Sequence, residues 1–170
     1  HMEEIDLCWR LQLEGKSIFV VPQSVVWHLG GGTLPNDSPW KLKLNYRNNL
    51  LMLQNNLAKT YSLQEVRELT PEKAAVKACG RARGTIFIRM CLDGCSALAY
   101  LLTGKKGCFK AVWEAHKEFR GLGAKTDVKE IQEYADTHRR IDVPALFPEW
   151  IVPLAMLRGN GIFDYLRKLI

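Results

Sequence analysis

The sequence lacks several common functional signatures. Its five cysteines include no Cys-x-x-Cys pair, and no neighbouring thiols or imidazoles suggest a zinc site. It has no Gly-x-Gly-x-x-Gly phosphate loop, no internal repeat, no low-complexity tract and no visible signal peptide. We therefore expect the cysteines to be reduced, buried, small apolar residues of a protein in a reducing compartment.

Composition and charge indicate a globular protein with anionic partners. Of the 170 residues, 47% are apolar and 25% charged, which is ordinary for a folded domain. The net charge is +6 and the pI is near 9.1. This excess of positive charge favours nucleotide diphosphates, acidic lipid headgroups or nucleic acid as partners. The length suits one domain or one and a half.

An acidic helix followed by two short apolar runs opens the chain. Residues 3–14 carry apolar side chains at helical spacing, and Gly15 should end that helix. The runs Ser17–Val21 and Ser24–Leu29 predict two β-strands joined by a Pro-Gln turn. The second run contains His28 and leads directly into three glycines.

This arrangement resembles the last part of the catalytic domain of family 2 glycosyltransferases, and the rhamnosyltransferase-like members in particular. These are inverting GT-A enzymes that use nucleotide sugars. Their pattern is roughly acid-acid-x-Asp-Leu-x-x-Arg, then a glycine, a strand and Val-x-His. The matching residues here are Glu3, Glu4, Asp6, Leu7, Arg10, Gly15, Val26 and His28. The resemblance covers residues 3–55, a third of the chain.

The resemblance implies a fold class and a division of the chain. Residues 1–57 would be an α/β remnant, the C-terminal part of a GT-A catalytic domain. Residues 58–170 would be an all-helical appendage. In the family, the nucleotide-binding half ends in an Asp-x-Asp that holds a divalent metal, and this sequence has no Asp-x-Asp. We therefore expect a C-terminal fragment that lacks the nucleotide-binding half and is inactive alone.

The acidic helix start supplies the expected catalytic residues. Inverting transfer needs a base for the acceptor hydroxyl, and a helix N-terminus favours an ionised carboxylate. In the family the second acid of the pair is the base, which implies Glu4, with Glu3 as the alternative. Asp6 is implied as a second acid on the acceptor side. From the residues alone, Asp6 and Arg10 predict only a local ion pair at i,i+4.

The resemblance also implies metal and donor contacts. His28 would complete the shell of a divalent metal, Mn²⁺ or Mg²⁺, begun by the missing Asp-x-Asp. Gly30 and Gly31 would let the backbone approach the donor diphosphate, and Arg47 and Asn48 would bind the donor. Without the resemblance, such a histidine is most often structural, such glycines form a flexible loop, and such an arginine is simply solvated.

The second half of the sequence combines basic and apolar features. A basic stripe recurs every four residues, at Lys73, Lys77 and Arg81. The following segment, residues 85–102, is mostly apolar but is interrupted by Arg89 and Asp93. Charges near mid-span make membrane crossing costly, so docking on an anionic membrane surface fits better. The alternative is a helical subdomain packed on the missing half. Nucleic acid is an unlikely partner because no recognition motif is present.

Two functions follow from these features. The first is an inverting, metal-dependent glycosyltransferase that moves a sugar such as rhamnose from a nucleotide-sugar donor to a lipid-linked or polysaccharide acceptor. It would be cytoplasmic and peripheral on the inner face of the cell membrane. The second is a non-catalytic basic helical module that binds an anionic membrane surface or a protein partner.

Overall fold

The computed structural model describes residues 2–27, 38–122, 126–142, 158–161 and 165. Five α-helices account for most of them. These are α1 (Glu3–Leu13), α2 (Pro39–Glu65), α3 (Pro71–Leu102), α4 (Lys106–Gly121) and α5 (Val128–Thr137). A short 3-10 turn spans Gly159–Gly161. The sequence also predicts an apolar segment over residues 146–157 and a terminal amphipathic helix over residues 162–170. Both lie outside the described residues, apart from residue 165, and so do residues 30–37 of the glycine-rich loop.

The α/β fold class is wrong, because the part of the chain that the structure describes is all-helical. The turn at Pro22-Gln23 is present, but residues 17–21 and 24–27 around it form no strand. A strand needs a neighbouring strand to receive its backbone hydrogen bonds. None of the described residues provides one, and the side chains of Phe19, Val20 and Trp27 are more than 80% exposed.

Helix α2 is the central element of the fold. The sequence predicts this helix, with Ser38 as its cap, Pro39 at its first position and an end near residue 57. Pro39 does occupy the first turn, but Ser38 makes no side-chain cap hydrogen bond. The helix continues past residue 57 because Leu57, Leu63 and Val66 are buried against other helices. The proposed division into residues 1–57 and 58–170 stays a prediction.

Helix α3 packs along α2 through small side chains. The buried residues recur at helical spacing and have almost no exposed area: Ala74, Ala75, Ala78, Cys79 and Ala82. Small residues let the two helix axes approach closely. Gly80 and Gly84 do not interrupt α3, which runs unbroken for 32 residues. The expected burial of the cysteines is confirmed for Cys79 but is wrong for Cys91 and Cys95, which are exposed.

Helices α4 and α5 complete the bundle. Helix α4 packs on α2 and α3, and α5 packs on the same pair with Ile131 and Ala135 buried. The sequence predicts a polar helix over residues 128–139 with Asp127 as its cap, and this cap is confirmed, since the Asp127 side chain accepts a hydrogen bond from the Lys129 amide at 3.0 Å. A capping side chain satisfies one of the amides that a helix start leaves without a partner.

Hydrogen bonds and one buried side chain attach helix α1 to this bundle. Trp9 Nε1 donates to Thr60 Oγ1 on α2 at 2.8 Å, and the Tyr134 hydroxyl of α5 donates to the Leu13 carbonyl at 2.6 Å. Leu13 itself is buried. Gly15 ends the helix with φ +70°, a left-handed conformation that glycine adopts without steric cost. These contacts fix the acidic first turn of α1 over the surface of α2.

Candidate functional site

A small cavity of about 160 Å³ lies where the first turn of α1 meets α2. Its polar lining comes from Glu3 and Asp6 of α1 and from Asn48 and Asn55 of α2. Leu51 and neighbouring methionines supply the apolar part of the wall. Three of the residues assigned by resemblance, Glu3, Asp6 and Asn48, therefore line one cavity although they come from distant parts of the sequence.

The Asp6 carboxylate is held in position by two donors. Arg10 Nε donates to Asp6 Oδ2 at 2.8 Å, which confirms the ion pair predicted from the i,i+4 spacing. Asn56 Nδ2 donates to Asp6 Oδ1 at 2.7 Å and also to the Met52 carbonyl at 2.9 Å. Asn56 is itself fully buried. This second contact joins α1 to α2 and fixes the orientation of the carboxylate toward the cavity.

The two glutamates at the helix start differ in their surroundings. Both side chains are exposed, but Glu3 lines the small cavity with Asp6, whereas Glu4 is not among its lining residues. A carboxylate in the wall of a cavity can reach a ligand bound there. Of the two glutamates, Glu3, the alternative in the sequence interpretation, is therefore the one placed to contact a ligand in the small cavity.

Arg47 Nε donates a hydrogen bond to Asn48 Oδ1 at 3.1 Å, but the further neighbours of the two side chains differ. Asn48 lines the small cavity. The Arg47 guanidinium donates to Glu118 Oε2 of α4 at 3.0 Å, and the Lys43 ammonium donates to Glu118 Oε1 at 2.7 Å. The hydrogen bonds from Lys43 and Arg47 lower the pKa of the Glu118 carboxyl. Arg47 is thus committed to an α2–α4 ion pair, a contact that its position in the sequence does not indicate.

The expected metal centre has no counterpart in the described part of the chain. His28, Gly30 and Gly31 lie outside it. Among the residues that the structure describes, no group of three or more His, Cys, Asp or Glu side chains could hold a metal ion. The described residues therefore do not form a divalent-cation site by themselves.

The basic stripe of α3 is partly neutralised within the protein. Lys77 Nζ and Arg81 Nη1 each lie 2.6 Å from a carboxylate oxygen of Glu65 on α2. The hydrogen bond from Lys77 lowers the pKa of the Glu65 carboxyl most, and the hydrogen bond from Arg81 lowers it further. Lys73 is exposed. The stripe therefore contributes to α2–α3 packing as well as to the surface charge.

Helix α3 also presents a long apolar face to solvent. Exposed side chains recur every three or four residues along it, at Phe87, Ile88, Cys91, Leu92, Cys95, Leu98 and Leu102. Among the described helices, α3 alone is long and apolar enough to cross a membrane by length and composition, and only 11% of its most apolar window is buried. Lys105 and Lys106 follow the face at its C-terminal end.

The two charges that seemed to interrupt this apolar segment are turned toward the bundle. Asp93 is buried, and its carboxylate is contacted by Arg89 Nε at 2.8 Å and by His116 Nε2 of α4 at 3.2 Å. The Arg89 guanidinium also lies near the Tyr46 ring of α2. The exposed apolar face is therefore continuous, which the sequence pattern did not reveal.

A second, larger cavity was not predicted. It encloses about 470 Å³ between α1, α2 and α5 and is rich in amide side chains, notably Gln54, Asn55 and Asn56. The signal in the sequence was the run of three consecutive amides in the middle of α2. Such a run has no packing role on its own, but only the position of α1 and α5 shows that it lines a cavity.

Comparisons with protein-family models, with curated proteins and with solved structures find no match. The cavities beside α1 and the exposed face of α3 are therefore the grounds for inferring what this protein does.

Proposed function

We propose that this chain forms the acceptor side of an inverting glycosyltransferase that moves a sugar such as rhamnose from a nucleotide-sugar donor to a lipid-linked or polysaccharide acceptor. The observation that supports the proposal is the small cavity, in which Glu3, Asp6 and Asn48 meet. These residues belong to the two parts of the sequence that resemble such enzymes. The proposal rests on these side chains and requires no β-sheet.

The roles follow from the chemistry of inversion. The acceptor hydroxyl oxygen forms a bond to the anomeric carbon of the donor as the bond from that carbon to the diphosphate breaks. The hydroxyl proton passes to a carboxylate, for which Glu3 is the better placed candidate and Glu4 the other. Asp6, held by Arg10 and Asn56, would accept a hydrogen bond from the acceptor and orient it.

The experiment is a transfer assay on the protein encoded by the complete reading frame that contains this chain. Release of nucleoside diphosphate is measured over a panel of nucleotide sugars and acceptors for Glu3→Gln and Glu4→Gln. Glutamine keeps size and hydrogen bonding but cannot take the proton, so the variant at the base should lose about 10²- to 10⁴-fold in kcat. Donor binding should be nearly unchanged.

Glu72→Gln is the matched control, because Glu72 is an exposed carboxylate in the first turn of α3. It should leave the rate unchanged. Full activity in both Glu3→Gln and Glu4→Gln, or no transfer by the unaltered protein with any donor, would overturn the proposal.

The second candidate, a module that docks on an anionic membrane, is favoured by the exposed face of α3. Its apolar side chains could enter the boundary between headgroups and acyl chains while nearby basic residues contact anionic lipid. Because Arg89 and Asp93 face the bundle, neither charge needs to be buried in lipid. The two candidates are compatible, since an enzyme with a lipid-linked acceptor would work at the cytoplasmic face of a membrane.

Sedimentation of the full chain with vesicles tests this docking. Binding should be stronger to anionic than to neutral vesicles and should fall steeply toward 1 M salt, where the Debye length is about 3 Å. Paired changes of Phe87 and Leu92 to serine should remove it, whereas Trp113→Ser, at an exposed apolar residue of α4, should not. No binding to either vesicle, or equal and salt-insensitive binding to both, would contradict the proposal.

A further inference from the structure

The larger cavity has a lining unlike that of an ordinary packing defect. It lies beside the C-terminal half of α1, between α2 and α5, and its volume of about 470 Å³ is within the range of small-molecule sites. The residues that matter for recognition are Arg10, Gln54, Asn55, Asn56, Lys59 and Tyr134. Leu13 and Ile131, both buried, form its apolar base.

The charges around this cavity balance one another. Arg10 Nε is 2.8 Å from the Asp6 carboxylate, and Lys59 Nζ is 3.6 Å from Glu130 Oε1. A second carboxylate, Glu14, also belongs to the wall. A phosphate or carboxylate ligand would need cations that are not already facing carboxylates. The cavity therefore suits a neutral polar ligand better than an anion.

The amide groups define the kind of neutral ligand. Each asparagine or glutamine side chain offers two N–H donors and a carbonyl acceptor. Asn56 already uses Nδ2 to hold Asp6 and the Met52 carbonyl, while Gln54 and Asn55 precede it on the same cavity wall. Hydroxyl groups both donate and accept hydrogen bonds, so an amide carbonyl can accept from a hydroxyl and an amide N–H can donate to one. A polyhydroxyl compound is the ligand class that uses such a lining fully.

The larger cavity adjoins the small one, because Asn55 belongs to the lining of both. The acids Glu3 and Asp6 lie at one end of α1, and Arg10 and Glu14 lie toward the other. Because a helix rises only about 1.5 Å per residue, the acids lie close enough to the larger cavity for one short ligand molecule to reach both.

We infer that the larger cavity binds the internal sugars of the acceptor, so that the acceptor is a neutral oligosaccharide whose terminal hydroxyl reaches the small cavity. This inference rests on the proposed glycosyl transfer. It adds the acceptor class and names Gln54 and Asn55 as specificity-determining residues. Neither residue takes part in the proton transfer.

Side-chain amide signals provide a direct test. The ¹⁵N–¹H resonances of Gln54 and Asn55 in the full chain are followed during titration with neutral disaccharides of rhamnose, glucose, galactose and mannose. Inorganic phosphate is the charged probe. At least one disaccharide should give saturable shifts at both amides with a millimolar dissociation constant, and phosphate should give none. Absence of saturable shifts with every disaccharide, or shifts with phosphate alone, would overturn the inference.

Paired variants separate a binding role from a structural one. Gln54→Ala should weaken disaccharide binding at least tenfold with an unchanged far-ultraviolet circular dichroism spectrum. Gln64→Ala removes an amide from the same helix outside this cavity and should leave binding intact. Equal binding by both variants and the unaltered chain would overturn the assignment of Gln54.

The same variants distinguish failure of this inference from failure of the proposed function. In the transfer assay, Gln54→Ala should raise KM for the oligosaccharide acceptor at least tenfold, whereas Gln64→Ala should leave that KM unchanged. If transfer occurs but Gln54→Ala has no effect on KM, only the acceptor inference fails. If disaccharide binding is present and transfer is absent, the cavity binds glycans but the enzyme proposal fails.

Discussion

Thr60 links α1 to the bundle through a fully buried hydroxyl. Its Oγ1 donates to the Asn56 carbonyl at 3.0 Å and accepts from Trp9 Nε1 at 2.8 Å. Valine has nearly the same shape but would leave the indole N–H without that acceptor. A buried donor without a partner costs about 1–3 kcal/mol. We expect Thr60→Val to lower the free energy of unfolding by that amount, measured by urea denaturation.

Thr137 supplies the control for this substitution. Its Oγ1 donates to the carbonyl four residues earlier at 2.8 Å, as in Thr60, but the side chain is exposed. Thr137→Val should therefore change the free energy of unfolding by less than about 0.5 kcal/mol. Equal effects of the two substitutions would show that the Trp9 hydrogen bond contributes nothing measurable.

The carboxylates of Glu65 and Glu118 make the stability of the folded protein depend on pH. The hydrogen bonds from Lys77 and Arg81 lower the pKa of Glu65, and those from Lys43 and Arg47 lower the pKa of Glu118, both below the usual 4.5. A depressed folded-state pKa contributes stability that is present above the unfolded-state pKa and is lost as the pH falls through the folded-state value. The melting temperature should therefore fall as the pH is lowered below about 4.5.

Removing both carboxylates tests the cause of that acid sensitivity. In the double variant Glu65→Gln, Glu118→Gln the melting temperature should start lower at neutral pH and fall less steeply in acid. Glu72→Gln, at an exposed carboxylate, should keep the slope of the unaltered protein. The same acid slope in the double variant would mean that other carboxylates control it.

At the scale of single elements, Gly15 just after α1 and Gly80 within α3 should respond oppositely to replacement by alanine. Gly80 lies inside α3, and an added Cβ would meet no atom within 4 Å. Gly80→Ala should stabilise the protein by about 0.5–1 kcal/mol, since alanine loses less backbone freedom on helix formation. Gly15 has φ +70°, where a Cβ is strained, so Gly15→Ala should destabilise by about 1 kcal/mol or more.

Thermal unfolding of the two glycine variants in parallel is the measurement. Opposite shifts in melting temperature would agree with a continuous α3 and a left-handed residue after α1. A destabilised Gly80→Ala variant would indicate that α3 is interrupted at that position. Both substitutions are evaluated in the full chain, so that each serves as the control for the other.

Element boundaries show how far local patterns reach. The sequence predicts the starts of α2 and α3 at Pro39 and Pro71, because proline suits the first turn of a helix. The sequence does not predict that α2 ends at Glu65, because the residues that extend the helix to this point are stabilised by contacts with α3 and α5. The inward orientation of Arg89 and Asp93 likewise depends on His116 and Tyr46 in other helices.

Across the whole molecule, protection against hydrogen exchange should follow packing. The amides of Leu57 and Ala78 lie in the α2–α3 core and should exchange slowest, by opening of the whole bundle. Residues 17–21 and 24–27 belong to no helix or strand and should exchange at nearly unprotected rates. Mass spectrometry of peptides after brief deuterium labelling measures both. Strong protection of residues 17–21 would mean that strands do form there.

The sequence alone determined the helices and part of the candidate site. Helical spacing, proline starts and the Asp127 cap are local properties, so α1 to α5 were foreseeable, as was the ion pair between Asp6 and Arg10. The acidic first turn of α1 was visible for the same reason. Apolar β-type runs also show a local preference, but a strand exists only when another strand pairs with it.

Tertiary structure decided which of these local features work together. Asn56 and Thr60 fix α1 on α2, so that Glu3 and Asp6 share a cavity with Asn48, and the packing of α5 encloses the amides of the larger cavity. The Arg47 guanidinium forms an ion pair with Glu118 and does not line the small cavity. The physical reason is that hydrogen bonds and ion pairs between distant residues depend on how the helices pack, which residue spacing along one helix does not specify.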